Sequence, residues 1–181
     1  MPHQPSIRDD VADDQQLLDA IAATDEHTDD AIEALYQRYR QWALDLALSM
    51  TRDDAASLDA CQDAWMEAIK RARRGVTLRA RFTTFLYKYV KHAALRAKRS
   101  RPITSEAPDP VATPSPANPD LTSIHAALDR LKPAHAEVLR LRYWHDLTDR
   151  EIAIALGKPL GTVKGRLRKA IARLEEILKS A

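Results

Sequence analysis

The sequence contains a single cysteine, Cys61, among its 181 residues. One cysteine cannot close an intramolecular disulfide or supply a thiolate metal cluster. Glycine is scarce as well, with only 4 residues, and aromatic side chains make up 6% of the chain. Ala, Leu, Arg and Asp are abundant instead, and this balance favours helix over sheet. We therefore expect an all-α protein with no metal site and no cofactor.

Long apolar runs are missing too, since no stretch approaches the roughly 20 residues that span a bilayer. The first residues, Met-Pro-His-Gln-Pro, lack the basic, apolar and small-residue pattern of a signal peptide. The sequence predicts a cytoplasmic location and no membrane partner.

Charge is unevenly distributed, although the net charge is only +2. Nine acidic residues and no Lys or Arg lie between Asp9 and Asp30, whereas twelve basic residues and no acidic one lie between Lys70 and Arg101. A cationic segment of this kind indicates a polyanionic partner, and nucleic acid is the leading candidate.

Six of the ten prolines fall in residues 102–120, PITSEAPDPVATPSPANPD. Proline removes amide donors and disfavours helix in the residue before it, so this stretch is typical of an extended linker. The sequence thus predicts two small helical domains, 1–101 and 121–181, joined by a Pro-rich linker at 102–120.

The N-terminal domain shows helical periodicity in three segments, preceded by a shorter helix near 14–23. The apolar positions of these segments are Ile32, Leu35, Tyr36, Tyr39, Trp42 and Leu46, then Leu58, Cys61, Trp65, Ala68 and Ile69, then Phe82, Phe85, Leu86, Tyr89 and Ala93. A basic connection that breaks at Gly75 separates the second segment from the third.

Local sequence signals mark the starts and ends of the helices in the C-terminal domain. Pro133 suits a first helical position, Thr148 and Glu151 form a capping-box pattern, and Gly157 suits a helix end. Thr162 is expected to cap the last helix. Two short helices around a tight turn predict a helix-turn-helix.

The last helix is expected to bury Val163, Leu167, Ala170 and Ile171. Its opposite face then carries Gly161, Lys164, Gly165, Arg168 and Lys169. A helix that enters the major groove needs cations for phosphates and short side chains for close approach. An ordinary solvated basic face is the simpler interpretation of the same residues.

These segments resemble the extracytoplasmic-function (ECF) sigma factors. Leu128-Asp-Arg-Leu-Lys-Pro, Glu137-Val-Leu-Arg-Leu-Arg-Tyr-Trp, Leu147-Thr-Asp-Arg-Glu-Ile-Ala and Gly161-Thr-Val-Lys-Gly-Arg-Leu are similar to region 4, with Gly165 where serine is usual. Leu35-Tyr-Gln-Arg-Tyr, Cys61-Gln-Asp-Ala-Trp and Phe82-Thr-Thr-Phe-Leu-Tyr are similar to region 2.

The resemblance implies an alternative sigma factor that binds core RNA polymerase and directs initiation at promoter DNA. For −35 recognition it implies Thr162, Lys164, Gly165, Arg166, Arg168 and Lys169. For −10 recognition and opening it implies Arg73, Arg74, Arg79, Arg81, Tyr87, Lys88, Lys91 and His92, with Tyr87 expected off the buried stripe. For polymerase binding it implies Asp59, Gln62, Asp63, Leu139 and Tyr143.

The chain departs from the family at two places. Family members usually carry an acidic pair just before the residue that matches Gln62, whereas this chain has only Asp59 there. Arg96 stands where the family commonly has an Asp. Weak core binding would follow, and a phosphate, which adds about −1.5 to −2 charge, could restore it. Thr51 and Ser57 are the candidate phosphosites, with a Ser/Thr kinase or an anti-sigma factor as regulatory partner. Thr51 also fits a plain N-cap, and the sequence leaves both interpretations open.

Two other classes of function fit the sequence less well. A helix-turn-helix regulator that does not act as a sigma subunit is the alternative. An enzyme is not expected, because His125, His135 and His145 are ten residues apart and no phosphate-cradling glycine loop exists. His135 and His145 are expected to be surface or junction residues.

Overall fold

The computed structural model describes residues 11–100, 124 and 126–180, and every described element is helical. The chain divides into two compact units, Met1–Ala107 and Pro108–Ala181. The all-α, two-domain prediction is confirmed. The predicted linker, residues 102–120, and His125 lie outside the described residues.

The first unit contains α1 (Val11–Ala23), α2 (Thr28–Thr51), α3 (Asp54–Ala72) and α4 (Phe82–Ser100). α4 packs against both α2 and α3, and α1 packs mainly on α2. Ala60, Ala64 and Ala68 line the buried face of α3. These small side chains permit close helix approach, because interaxial distance depends on the residues at the contact.

The core of this unit is built around aromatic rings. The Phe82 ring lies 4.9 Å from that of Tyr39 and 6.1 Å from that of Trp65, between centroids. Leu58 was expected on the buried face of α3 but is 58% exposed. It lies in the first turns of α3, whereas Ala60, Cys61, Ala64 and Trp65 form the buried face.

The junction between α2 and α3 differs from the prediction. Thr51 is the last residue of α2, and its hydroxyl donates to the Ala47 carbonyl at 3.1 Å. Arg52 then adopts a left-handed conformation, and Asp53 caps α3 by accepting from the Ala56 N–H at 2.7 Å. The prediction that Thr51 is the N-cap is therefore wrong, because the aspartate two residues later takes that role.

The second unit contains α5 (Pro133–Tyr143), α6 (Asp149–Leu156) and α7 (Leu160–Lys179), with further helical residues at 126–129. Pro133 lies in the first turn of α5, as predicted. The capping box is confirmed, since Thr148 Oγ1 accepts from the Glu151 N–H and Glu151 Oε2 accepts from the Thr148 N–H at 2.7 Å.

The turn between α6 and α7 is tight because Gly157 has a φ of 60° and a ψ of 39°, as expected for a helix end. Pro159 is the N-cap residue of α7. The prediction that Thr162 caps this helix is wrong. The helix begins at Leu160, three residues earlier than a cap at Thr162 implies, and the Thr162 N–H donates to the Pro159 carbonyl at 3.0 Å.

Candidate nucleic-acid and polymerase interfaces

The first candidate interface is the outer face of α7. Val163, Leu167 and Ala170 are buried against the other helices of the unit, and Ile171 is half-buried. Gly161, Lys164, Arg168 and Lys169 are consequently exposed, with Gly165 and Arg166 partly so. The predicted orientation of this helix is therefore confirmed.

The charge on that face is available to a ligand. Within residues 126–180, no carboxylate pairs with Lys164, Arg168 or Lys169, whereas Arg173 pairs with Glu176 at 2.6 Å. A Cβ placed on Gly161 or Gly165 would meet no atom within 4 Å. Nothing inside the unit thus requires glycine at these positions, which suits a surface that another molecule approaches closely.

The second candidate interface joins the loop 73–81 to α4. The loop contributes Arg73, Arg74 and Arg79, which are exposed, and Arg81, which is half-buried. Lys88 and His92 are exposed on α4, and Lys91 is half-buried. The structure therefore brings the predicted cations of this site onto the loop and the helix that follows it.

Tyr87 departs from this pattern. The expectation that it lies off the buried stripe is wrong, because its side chain is only 1% exposed. α4 is buried along a wide arc that includes Leu86, Tyr87 and Val90, since α2 and α3 both pack on it. Tyr87 therefore belongs to the core and cannot stack on a base without repacking.

Phe85 and Tyr89 are the accessible rings of α4 instead. Both are half-buried, their centroids lie 5.2 Å apart, and Lys88 Nζ lies 5.1 Å and 4.9 Å from them. Partial burial and the nearby charge of Arg71 lower the pKa of Lys88 below its usual value. Rings beside a cation form the kind of platform that single strands use. The spacing of four residues places both rings on the predicted buried face of α4, so helical periodicity could not indicate that they are accessible.

The third candidate interface is the exposed face of α3, where Asp59, Gln62 and Asp63 lie together. Met66 continues this face one turn later and is also exposed. Asp63 pairs with Arg96 of α4, with 3.3 Å between Nη2 and Oδ2. This contact reduces the negative charge of the face further, in the direction that the sequence suggested.

The two candidate phosphosites differ in accessibility. Ser57 is 1% exposed, and its hydroxyl donates to the Asp54 carbonyl at 2.8 Å. A kinase could not reach it without unfolding the first turn of α3, so Ser57 is a wrong choice. Thr51 is half-buried and remains the accessible one.

The two predicted polymerase contacts of the second unit, Leu139 and Tyr143, differ in exposure. Leu139 is 1% exposed and forms part of the core, so its selection as a docking residue is wrong. Tyr143 is 63% exposed, and the next residue, Trp144, is also exposed. His145, expected at the surface or at a junction, is buried, and burial together with Arg140 lowers its pKa to about 4.

The described residues do not support a metal site or a membrane-spanning helix. Across 11–100, 124 and 126–180, no three His, Cys, Asp or Glu side chains are grouped to hold a metal ion. Cys61 is buried, and its burial raises the pKa of the thiol. In the same part of the chain, no helix has the length and apolarity to cross a membrane.

Comparison with known families divides the chain at the same two units. The Sigma-70 region 2 family matches residues 35–102, and Sigma-70, region 4 matches residues 127–176. These two segments contain the three candidate interfaces but leave out α1.

Curated relatives match over shorter segments. The RNA polymerase sigma-E factor of Streptomyces avermitilis is 46% identical over 50 residues, which cover 28% of this chain and 28% of that protein. The ECF RNA polymerase sigma factor RpoE of Cereibacter sphaeroides is 42% identical over 50 residues, with the same coverage of both chains. These matches therefore span less than a third of either relative.

Solved structures extend the likeness to the fold. CnrH, in complex with the cytosolic domain of CnrY, gives a TM-score of 0.71 at 20% identity, covering 93% of this chain and 98% of that one. The sigma factor RpoE, in complex with the anti-sigma factor NepR from Bartonella quintana, gives 0.62 at 21% identity, covering 81% and 96%. Regions 2 and 4 are both matched, in that order, and a curated relative is itself named an ECF sigma factor. The chain therefore belongs to the sigma-70 family, among its ECF members.

Proposed function

We propose that this protein is an alternative sigma factor that binds core RNA polymerase and directs promoter-specific initiation without catalysing a reaction itself. Its place of action is then the cytoplasm, with promoter DNA as the second partner. The proposed organisation is a region 2 domain at 1–101, a linker at 102–120 and a region 4 domain at 121–181.

One observation carries the proposal. The exposed Asp59–Gln62–Asp63 face of α3 lies on the same unit as the cationic loop 73–81, so one compact body offers a protein-binding face and a nucleic-acid face. A DNA-binding regulator needs only the helix-turn-helix of the second unit. The first unit is what a sigma subunit requires in addition.

The division of labour follows from the chemistry of each surface. α7 offers an exposed cationic face with glycines at its centre, suited to the major groove and thus to the −35 element. The loop 73–81 and the Phe85–Tyr89 pair offer cations beside rings, suited to an opened strand and thus to the −10 element.

The test is a titration of core polymerase with the full-length chain, comparing the wild type with Asp59→Arg. We expect saturable binding by the wild type and roughly 10-fold weaker binding by the variant, because the face loses an acidic group and gains a repelling cation. Fluorescence anisotropy of a labelled chain measures both affinities.

Glu33→Arg is the matched control, since Glu33 is exposed on α2 outside the region 2 match and makes the same change in charge. It should leave the affinity for core within about 2-fold of the wild type. If the wild type fails to bind core, the protein is the alternative, a regulator that binds DNA through its helix-turn-helix alone.

We further propose that negative charge at Thr51 strengthens core binding. The residues that follow, Ala55-Ala56-Ser57-Leu58, lack the acidic groups usual in the family, and Thr51 is the accessible hydroxyl near them. A Ser/Thr kinase would supply the charge. An anti-sigma factor, as in the RpoE–NepR complex, is the other mode of control.

Thr51→Glu should therefore bind core several-fold more tightly than Thr51→Gln, which has similar size and no charge. Thr51 ends α2, where the helix dipole disfavours an anion by about 0.3–1 kcal/mol, so a small drop in the midpoint of thermal unfolding should accompany the gain. Equal core affinities of the two variants would count against a switch at this residue.

A further inference from the structure

Gln15 of α1 forms two hydrogen bonds to the backbone of the loop 73–81. Gln15 Nε2 donates to the Val76 carbonyl at 2.8 Å, and Gln15 Oε1 accepts from the Leu78 N–H at 2.8 Å. These two backbone groups flank Thr77 and face the same side of the chain, where one amide can satisfy both. The partners are 61 and 63 residues away in sequence.

Gln15 is itself held in place. Asp14, the residue before it, is fully buried and accepts hydrogen bonds from the Tyr39 hydroxyl and from Arg38 Nη1, the latter at 2.6 Å. Arg38 also pairs with Asp13 at 2.7 Å. These contacts fix the start of α1 on α2. The hydrogen bonds to Gln15 therefore hold the loop in a fixed position relative to the helical core.

The start of the loop is held separately, by α3. Gly75 has a φ of 78°, and its carbonyl accepts from Arg71 Nη1 at 3.0 Å. Arg73, Arg74 and Arg79 extend from the loop toward solvent. Three like charges on one short segment repel each other, so fixing the backbone between them sets where they can meet a phosphate chain.

We infer that Gln15 is a positioning residue for the opened promoter strand. α1 lies outside the region 2 match, yet it holds the loop that presents cations to that strand. Without the amide, the loop samples other conformations, and the strand binds only the fraction that has the correct one. The inference rests on the proposed sigma function and extends it to a helix that the family match leaves out.

Gln15→Leu is the informative variant. It removes both hydrogen bonds to the loop, together with the exposed one that Gln15 Nε2 donates to Asp19 Oδ1 at 2.8 Å within α1. It changes no charge, so a loss of DNA affinity cannot come from electrostatics. Each net hydrogen bond is modest, so we expect the Leu78 amide to exchange with solvent roughly 10-fold faster or more, as measured by NMR. The midpoint of thermal unfolding and the affinity for core polymerase should stay close to those of the wild type.

The functional readout is the affinity of the core-bound chain for a single strand. The probe is a 12-nucleotide strand selected from a randomised pool by the wild-type chain on core polymerase. Gln15→Leu should bind it roughly 10-fold more weakly, in proportion to the loosened loop. Gln16→Leu, at the exposed neighbouring position of α1, should leave strand affinity and Leu78 exchange unchanged.

Gln15→Glu gives a second test if the leucine variant folds poorly. A carboxylate still accepts from the Leu78 N–H but repels the Val76 carbonyl and the Asp19 carboxylate, and it adds a negative charge beside the loop. Strand affinity should therefore fall below that of the wild type, while the Leu78 amide exchanges more slowly than in Gln15→Leu. Normal strand affinity in either variant, or equal losses of core and strand affinity, would overturn the inference alone. If the wild type binds neither core nor any strand, the proposed function fails and this inference fails with it.

Discussion

Lys164→Glu should weaken the binding of the full-length chain to duplex DNA by about 10- to 100-fold at low salt. Lys164 is exposed on α7, and no described carboxylate pairs with it. The substitution therefore removes a cation from the face proposed for the major groove and places a repelling anion there. Phosphate contacts require no particular sequence, so a 30-base-pair duplex of arbitrary sequence serves as the probe.

Salt dependence distinguishes a direct contact from a general effect of charge. Loss of one phosphate contact should reduce the slope of log affinity against log salt by about 1. Lys179→Glu makes the same change in charge at the exposed end of the same helix and should weaken binding by less than about 3-fold. Equal losses in the two variants would show that α7 contributes only long-range charge.

Much of the second unit could be predicted because its signals are local. The capping box at Thr148 and Glu151, the turn at Gly157 and the first-turn proline at Pro133 each depend on backbone groups within a few residues. Their geometry is therefore encoded in short stretches of sequence. The N-cap of α7 was not predicted correctly, because Pro159, three residues before Thr162, occupies that position.

Burial was harder to predict, because it depends on which helices cover a face. Tyr87 lies off the apolar stripe of α4, yet it is buried because α4 contacts two other helices. The family resemblance implied that Leu139 contacts polymerase, but its side chain is 1% exposed, because the apolar periodicity of a docking face is also that of a core face. Leu58 shows the opposite error. Helical periodicity gives the direction in which a side chain points around the helix axis. It does not show whether another helix packs over that side chain.

Long-range polar contacts could not be predicted at all. Gln15 is one of two adjacent glutamines on α1, and nothing in the sequence distinguishes it from Gln16. Its partners are backbone atoms, which have no residue-specific signature. The Asp14–Arg38 pair is similar, since any carboxylate of the acidic N-terminal segment could have been the one buried. Such contacts become visible only when the tertiary fold places them together.

The buried imidazole of His145 predicts a dependence of stability on pH in the second unit. Its pKa is lowered to about 4 by burial and by the charge of Arg140, whereas an unfolded chain has a value near 6.5. Between these values the unfolded state binds the proton and the folded state does not. Stability is therefore full above about pH 6.5 and decreases as the pH falls toward 4.

The expected loss between pH 7 and pH 5 is about 2 kcal/mol in the free energy of unfolding. Urea unfolding of the full-length chain, followed by the NMR methyl signals of Val163 and Leu167, isolates the second unit. His145→Phe should remove most of this loss, whereas His92→Ala, at an exposed histidine of the first unit, should leave it intact. If the phenylalanine variant does not fold, the imidazole signal of wild-type His145 decides the question, because a titration midpoint near 6.5 would contradict a buried neutral histidine and a midpoint near 4 would establish it.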